Sequence, residues 1–391
     1  IEYYGNPAWM AIEALRSVAV PETDNAISIS AAFYANLAAE HIARQIPGIT
    51  TSVKSKSPLK KNQELKNIIL RESPWLAEAM EENDNISKLA ELLNETEMAN
   101  RMRNAEDKLR KLQNEDGSWS WFEGMSGSVH ITTVVVEHIA EAEHLTGKES
   151  TMHSAMLKAM EWLDTEEMRR YEEMKKDKSL ANNLSERTLH YLYVSSLVKR
   201  ELTANVKTMQ NDYLNKAEKI VGELTIYGRA NIACVLGAHG RNEKATDFVK
   251  SLREYTVFKP ELGRYYDTRK AHYSWCDYRM PTHLTAMKAM RQQNNIFADT
   301  QDYINNMTLW VIQQKRSQSW DNPINTIGAI NELLTDGRIS NEKATLPSFV
   351  INGNKTVKME ETANNLGYAK AVIKDNEDVN LGELKTLQIT S

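Results

Sequence analysis

Apolar residues recur at steps of three and four along most of the chain, from about Asn6 to Leu334. Between residues 129 and 145 they fall on one face of a helix, at Ile131, Val135, Ile139, Ala142 and Leu145. The same spacing returns in three further stretches: Met152, Met156, Met160 and Leu163; Leu214, Ala217, Ile220, Val221 and Leu224; Ile304, Met307 and Val311. Two more stretches carry a proline where a first helical turn would lie, Pro281 and Pro323. The pattern predicts a mainly α body of many short to medium helices.

The pattern changes near the end of the chain. Residues 349–357 are rich in β-branched side chains and contain Asn352-Gly353, which is a strong signal for a β-hairpin. Two more strand-like runs follow, at 368–373 and 384–389. The helical pattern stops at Asp336-Gly337. We therefore expect two parts, a helical domain over residues 1–340 and a small β segment over residues 341–391.

One loop between amphipathic helices occurs twice. Gln113, Gly117 and Trp119 form Q-x3-G-x-W, and Gln314 with Trp320 repeats the six-residue step from Gln to Trp. We interpret these loops as turns of helical hairpins, in which the glutamine ties a helix end and the tryptophan fills the gap between neighbours. Such arrays commonly close into an α/α toroid, the fold of terpenoid cyclases and protein prenyltransferases. The alternative is two similar loops in an irregular helical protein.

Composition narrows the classes of function. The 391 residues carry 48 basic and 53 acidic side chains, a net charge of -5, without a block of one sign that would bind nucleic acid or lipid headgroups. The mean hydropathy is -0.54, and no stretch approaches the ~20 apolar residues of a membrane-spanning helix. Two cysteines, Cys234 and Cys276, exclude a disulfide scaffold and multi-cysteine metal sites. The chain begins at Ile1 without a leader pattern, so we expect it to be part of a longer protein.

Familiar catalytic and metal-binding patterns are incomplete. His138 and Glu141 have i, i+3 spacing but no third ligand nearby, so we interpret them as the polar flank of a helix. The stretch from Gly124 to Ser128 lacks the last glycine and the preceding strand of a nucleophile elbow, and we interpret it as a flexible loop. The D-x-D-D cluster of terpenoid cyclases is absent, and Cys276-Asp277 reverses the D-x-C order of a prenyltransferase zinc site. The sequence predicts no metal and no cofactor.

Aromatic and basic residues are densest between Tyr265 and Tyr278. A binding surface for a sugar polymer or a peptide is one interpretation of this patch. Its candidate residues are Tyr265, Tyr266, Arg269, His272, Tyr273 and Trp275. An ordered loop that packs over the rim of the helical body is the other interpretation. The first would fit an α/α-toroid polysaccharide-binding protein or lyase, with His272 and Tyr273 as proton-transfer groups and Arg269 stabilising charge.

An ordered set of short motifs resembles the thioester-bearing helical domain of the bacterial alpha-2-macroglobulin family. The matching segments are Asn6-Pro7-Ala8-Trp9, Ala14-Leu15, Tyr34-Ala35-Asn36, His41-Ile42-Ala43, Pro47, Pro74 to Ala79, Leu112-Gln113, Asp116 to Phe122, Trp310, Gln314-Lys315 and Ser317 to Trp320. They cover most of residues 6–340. The resemblance implies an α/α toroid, and it implies that the β segment begins the β-sandwich region that follows this domain in the family.

Active members of that family condense a cysteine and a glutamine of a C-x-E-Q motif into an internal thioester, which captures attacking proteases covalently. By ungapped alignment the motif falls on Asn25, Ala26, Ile27 and Ser28. Asn25 has no thiol and Ser28 has no acyl group, while the first cysteine is Cys234. The resemblance therefore implies a member that has lost the thioester and is not an enzyme.

The function implied by the resemblance is non-catalytic. Relatives without a thioester trap a protease when cleavage of a bait region makes the large chain collapse around it, so we expect a protease trap or a structural scaffold. The implied partners are proteases and the other domains of the same chain. The implied location is the periplasm or the cell envelope, often as a lipoprotein, with the export signal outside this chain.

Overall fold

The computed structural model describes residues 2–4, 8–45, 91–177, 184–220, 224–267, 278–315 and 320–335, and in the tail 348–352, 355–357, 360–363, 368–370 and 385–390. The fold is mainly α with a small β element, as predicted. The helices within these ranges are α1 (Ala8–Val18), α2 (Ala26–Gln45), α3 (Glu95–Leu112), α4 (Val129–Thr146), α5 (His153–Lys176), α6 (Glu186–Leu197), α7 (Ala204–Lys219), α8 (Ile226–Ala238), α9 (Asn242–Glu254), α10 (Arg279–Gln292), α11 (Thr300–Gln314) and α12 (Pro323–Leu334). The strands are β1 (Glu2–Tyr4), β2 (Val257–Lys259), β3 (Gly263–Tyr265), β4 (Ser348–Ile351), β5 (Lys355–Val357), β6 (Glu360–Ala363), β7 (Tyr368–Lys370) and β8 (Leu387–Thr390).

By its internal contacts the chain divides into two compact units. The first comprises residues 1–16, 38–100 and 333–391, and the second comprises residues 17–37 and 101–332. We call the second one the helical unit, because it contains most of the helices. The division of the sequence into 1–340 and 341–391 follows element type and stays a prediction.

The predicted hairpin in the tail is confirmed. Strands β4 and β5 pair antiparallel, with Phe349 opposite Val357, and Asn352 takes a positive φ of 50° at the turn. Strand β8 pairs with the other edge of β4, and strands β7 and β8 lie within the two other predicted runs apart from the last residue of β8. Strand β1 pairs with β7, a long-range contact that the local sequence pattern does not predict.

Side-chain caps explain where several helices begin. Four helices follow a Ser or Thr whose hydroxyl accepts a hydrogen bond from the backbone N–H three residues later. These caps are Ser128 for α4, Ser185 for α6, Thr203 for α7 and Thr225 for α8. The prediction of one helical face through Leu224 is wrong, because α7 ends at Lys219 and Thr225 opens the next helix. The apolar spacing continued across a helix boundary that the cap determines.

The two Gln/Trp loops share one geometry. The indole N–H of Trp119 donates to the carbonyl of Leu109 (2.9 Å), and that of Trp320 donates to the carbonyl of Val311 (2.7 Å). Both rings are fully buried. Each tryptophan ring is thus buried at the helix junction and bonded to the helix before its loop. This confirms the prediction that the ring fills the gap between neighbouring helices.

A threonine of the following helix completes the geometry in both copies. The hydroxyl of Thr132 in α4 accepts from the backbone N–H of Trp119 (2.8 Å), and Thr326 in α12 does the same for Trp320 (3.1 Å). In the first copy, the Gln113 amide also donates to the carbonyls of Gly117 and Ala155 (3.0 and 2.8 Å), so it ties the helix end as predicted. The loop partners expected for Gln314, residues 316–319, lie outside the described residues.

Helices of the helical unit make contact in an alternating order. Helix α4 packs against α6, α6 packs against α8, and α8 packs against α10, although another helix separates each pair in sequence. The intervening helices pack beside them, α5 on α4, α9 on α8 and α11 on α10. The row formed by α4, α6, α8 and α10 therefore has neighbours on several sides. Among the described helices, none is both long and apolar enough to cross a bilayer.

Candidate functional site

The segment aligned with the thioester motif lies at the start of helix α2. Asn25 directly precedes the helix, and its Oδ1 accepts a hydrogen bond from the backbone N–H of Ser28 (2.9 Å). The Asn25 amide nitrogen donates to Ser28 Oγ (3.1 Å) and to the hydroxyl of Thr23. The two predicted site residues are thus brought together, as a helix cap in which each side chain bonds the other. An amide and a hydroxyl in this arrangement offer no group that could form a thioester.

A loop with exposed apolar side chains lies against this cap. The backbone N–H of Ala26 donates to the carbonyl of Trp121 (3.1 Å), which holds the loop after Trp119 at the start of α2. We name Trp121, Phe122 and Met125 the apolar loop patch, because these side chains are 41%, 45% and 52% exposed. Exposed apolar residues that stand together commonly mark a surface for another protein or domain.

The aromatic stretch near Tyr265 begins in the protein interior. Tyr265 and Tyr266 are buried. The Tyr265 ring stacks on Trp310 (centroids 6.4 Å apart), and the Tyr266 ring lies edge-on to His283 (6.0 Å). The other four residues of the proposed binding surface, Arg269, His272, Tyr273 and Trp275, lie outside the described residues. The surface as a whole stays a prediction, but two of its rings pack into the core.

His283 is held neutral in this aromatic cluster. Its Nε2 donates to the carbonyl of Met307 (3.0 Å), and its buried Nδ1 has no hydrogen-bond partner. Burial lowers the pKa of His283 to about 4, although the bond to Met307 acts in the opposite direction. Because the unfolded chain takes up a proton near pH 6.5 and the folded chain does not, this group stabilises the fold above pH 6.5 and loses that effect as pH falls toward 4.

We expect the variant His283→Gln to remove this pH dependence, since glutamine keeps a donor for Met307 but does not titrate. Between pH 6.5 and 4, the difference in unfolding free energy between the native chain and the variant should shrink by up to about 3 kcal/mol, at ~1.4 kcal/mol per pH unit. Urea unfolding at several pH values measures this difference. His144→Gln, at an exposed ring of α4, is the matched control. A difference that stays constant with pH would contradict the neutral His283.

A cavity of about 460 Å³ lies between helices α4, α6, α8, α10 and α12 of the helical unit. We name it the central cavity. Each helix contributes side chains from its first turn or cap and from turns further along, as far as Glu141 in α4 and Lys288 in α10. Titratable and polar side chains are frequent in its wall. Its size is that of a small-molecule binding site.

A buried ion cluster forms part of the wall of the central cavity. The ammonium of Lys288 contacts carboxylate oxygens of Glu141 (2.6 Å) and Glu137 (3.2 Å), and Glu137 also pairs with His190 Nε2 (2.6 Å). Lys288 also lies over the ring of Tyr193, 4.9 Å from its centroid. Three helices, α4, α6 and α10, are joined through these four charged or ionisable groups and the ring.

The two carboxylates of this cluster titrate in opposite directions. Burial raises the pKa of both, but for Glu137 the combined attraction of Lys288 and His190 is larger, so its pKa lies well below the usual range. Glu141 has Lys288 as its cationic partner and Glu137 as a repelling neighbour, so burial raises its pKa to about 7. Burial would lower the pKa of Lys288, but Glu141 and Glu137 together raise it. The cluster therefore holds one firmly ionised carboxylate and one that protonates near neutral pH.

The interpretation of His138 and Glu141 as a polar helix flank is wrong. Their exposed fractions are 2% and 4%. The Ser30 hydroxyl donates to the carbonyl of Ile27 (3.0 Å) and thus accepts from His138 Nδ1 (2.9 Å), which places a proton on Nδ1. Burial lowers the pKa of His138 to about 4. The missed signal was the composition of α4, which is apolar on several faces and so predicts burial all round.

The Gly124 stretch and the cysteines are the remaining candidates, and those of their residues that the structure describes have structural roles. Ser128, at the end of the Gly124 stretch, caps helix α4. The thiol of Cys234 is buried in the wall of the central cavity, receives the Gln292 amide at 3.7 Å, and has its pKa raised to about 12 by burial. Cys276 lies outside the described residues. Within the described residues, no group of three or more His, Cys, Asp and Glu side chains could hold a metal ion.

No protein-family model matches the sequence, and no curated protein matches it.

Proposed function

We propose that this chain is a non-catalytic domain of a large, exported alpha-2-macroglobulin-like protein that traps proteases without a thioester. The observation that carries the proposal is the cap at the start of α2. Asn25 and Ser28 occupy the position of the reactive pair, and each satisfies the other by hydrogen bonds (2.9 and 3.1 Å). A domain with this cap has no acyl donor there, so capture of a protease would depend on shape and not on a covalent bond.

The packing of the helical unit supports an α/α toroid. In such a fold, inner helices alternate in sequence with outer helices. The row α4, α6, α8 and α10 and the flanking helices α5, α9 and α11 follow this order. The Gln/Trp loops recur with the same indole and threonine bonds before α4 and α12. A repeated hairpin with a fixed junction is what closes an array of helices into a ring.

The apolar loop patch is the surface through which this domain would contact the rest of the chain. Trp121, Phe122 and Met125 are exposed, and the loop is bonded to the first residue of α2. An apolar patch of large side chains is stabilised when another domain covers it. In this proposal, collapse after bait cleavage changes what covers the patch. The polysaccharide alternative gains no support from Tyr265 and Tyr266, whose rings are buried.

The test uses the full-length protein that contains this domain. The protein is mixed with a panel of endopeptidases, and each protease is then assayed on a small peptide and on a bulky protein substrate. We expect activity on the peptide to persist while activity on the protein substrate falls, and denaturant should release the protease intact. Methylamine treatment should leave the mass of peptides spanning residues 25–28 unchanged. A methylamine adduct there would contradict the loss of the thioester.

A pair of double variants separates a trap from a scaffold. Trp121→Ser with Phe122→Ser removes two rings of the apolar loop patch, while Tyr255→Ser with Phe258→Ser removes two exposed rings elsewhere in the helical unit. We expect the first variant to lose protection of the bulky substrate and the second to retain it. If no protease in the panel is inhibited on either substrate size, the trap fails and the domain acts as a scaffold.

A further inference from the structure

The end of the central cavity formed by first helical turns has spare hydrogen-bond donors. Arg187, in the first turn of α6, uses its Nε to bind the buried carboxylate of Glu167 (2.8 Å), and its buried Nη2 has no partner. Asn231, in the second turn of α8, has a buried Nδ2 beside the Tyr227 hydroxyl, which can accept one of its two N–H groups and leaves the other unused. Both residues line the central cavity. Buried donors in native proteins nearly always have acceptors, so the unused N–H groups of Arg187 and Asn231 can take an acceptor that enters the cavity.

The charges deeper in the cavity are already matched. Lys288 lies between Glu137 and Glu141, and His190 takes the second oxygen of Glu137. This cluster leaves no cation without a carboxylate. The cavity wall therefore offers hydrogen-bond donors to an acceptor at Arg187 and Asn231, whereas Lys288 already has its counter-ions.

The helices add positive potential at the same end. Helices α4, α6, α8, α10 and α12 all place first-turn or capping residues in the cavity wall, namely His130, Arg187, Tyr227, Tyr278 and Asn322. The N-terminus of each helix carries a partial positive charge, and five such ends around one space favour an anion. Glu186 opposes this effect from the first turn of α6, but its side chain is exposed to solvent.

The rest of the wall is apolar or aromatic. Val134, Val235 and Leu284 line the cavity from three helices, and the rings of Tyr227 and Tyr278 lie 5.3 Å apart beside it. We propose that the central cavity binds a small organic acid, whose carboxylate accepts hydrogen bonds from Arg187 and Asn231 and whose apolar body lies against these side chains. A volume of about 460 Å³ suits such a molecule.

The test compares two probes with the same body and opposite charge, 4-phenylbutyrate and 4-phenylbutylammonium. Binding to the 391-residue chain is measured by calorimetry and by ligand-detected NMR. We expect 4-phenylbutyrate to bind with a Kd below about 1 mM and the ammonium to bind at least tenfold more weakly. Equal or tighter binding of the ammonium would show that Glu186 and Glu141 dominate and would overturn the proposal, as would no saturable binding of the acid.

Variants of residues in the cavity wall test whether the acid binds there. Asn231→Ala should weaken 4-phenylbutyrate by about tenfold, since one hydrogen bond to a charged group is lost. The isosteric Asn231→Asp should abolish its binding through like-charge repulsion, while Asn211→Ala, at an exposed position of α7, should change nothing. Thr285→Phe fills the cavity and should remove binding. Retained affinity in Asn231→Asp or in Thr285→Phe, with each variant folded by circular dichroism, would place the acid elsewhere and overturn the proposal.

Discussion

Replacing Lys288 by methionine should lower the free energy of unfolding by about 3–5 kcal/mol at pH 8. Methionine has a similar length but no charge, so Glu141 loses its cation at 2.6 Å and is left buried beside Glu137. Glu137 keeps His190, and most of the loss therefore arises at Glu141. Urea unfolding of the native chain and the variant measures it. Lys250→Met, at an exposed ammonium of α9, is the matched control and should change stability by less than about 0.5 kcal/mol.

The pH dependence of this loss distinguishes charge from packing. The pKa of Glu141 is raised to about 7 in the folded chain, so between its ordinary 4.5 and 7 the folded state holds a proton that the unfolded state has released. Stability from this group thus falls as pH rises through that window, and more steeply without Lys288. The loss of unfolding free energy caused by Lys288→Met should be smaller at pH 5.5 than at pH 8. Adding Glu141→Gln to the Lys288→Met variant should restore part of the stability at pH 8. A loss that is equal at both pH values would instead mean that Lys288 acts through packing.

Replacing Trp119 by alanine should lower the unfolding free energy by about 3–5 kcal/mol. The ring is fully buried, and its indole N–H donates to the Leu109 carbonyl at 2.9 Å, so the variant leaves a large cavity and removes one of the two hydrogen bonds that this carbonyl accepts. The other one, from the backbone N–H of Gln113 (3.1 Å), remains. Trp121→Ala provides a control only two residues away, because that ring is 41% exposed; it should cost less than about 1 kcal/mol. Thermal and urea unfolding compare the two.

A third variant separates the two contributions of Trp119. Trp119→Phe retains most of the apolar volume but has no indole donor, so its loss should lie between those of the other two variants. If Trp119→Ala and Trp121→Ala destabilise the chain equally, the Gln/Trp loop does not hold the helix junction as described.

Local patterns predicted the features that depend on neighbouring residues. The apolar stripe from Ile131 to Leu145 predicted helix α4, Pro323 marked the first residue of α12, and Asn352-Gly353 marked the hairpin turn. The role of Trp119 followed from its place in a repeated loop. In each case the residues that determine the element lie close together in the sequence, so their spacing alone carries the information.

The candidate site depended on contacts between distant residues, and there the sequence was a poor guide. His138 meets Ser30, 108 positions away, and Lys288 meets Glu141 across 147 positions. A polar residue within an apolar helix can be a flank or a buried partner, and only the approach of a second helix decides between them. The pairing of β1 with β7 was missed for the same reason. Asn25 and Ser28 were placed by resemblance, but their mutual hydrogen bonds required the fold.

The buried ion cluster also constrains how the protein is made. Lys288 follows Glu137 by 151 residues, so synthesis at about 5–20 residues per second leaves that carboxylate without its ammonium for roughly 8 to 30 s. The delay is longer still for Tyr34 in α2, because its hydrogen-bond partner Asn331 is synthesised 297 positions later. During this time α4 can already pack against α5 and α6, but Glu137 and Glu141 still lack the ammonium of Lys288. The helical unit therefore reaches its final packing only after its last helices have been synthesised.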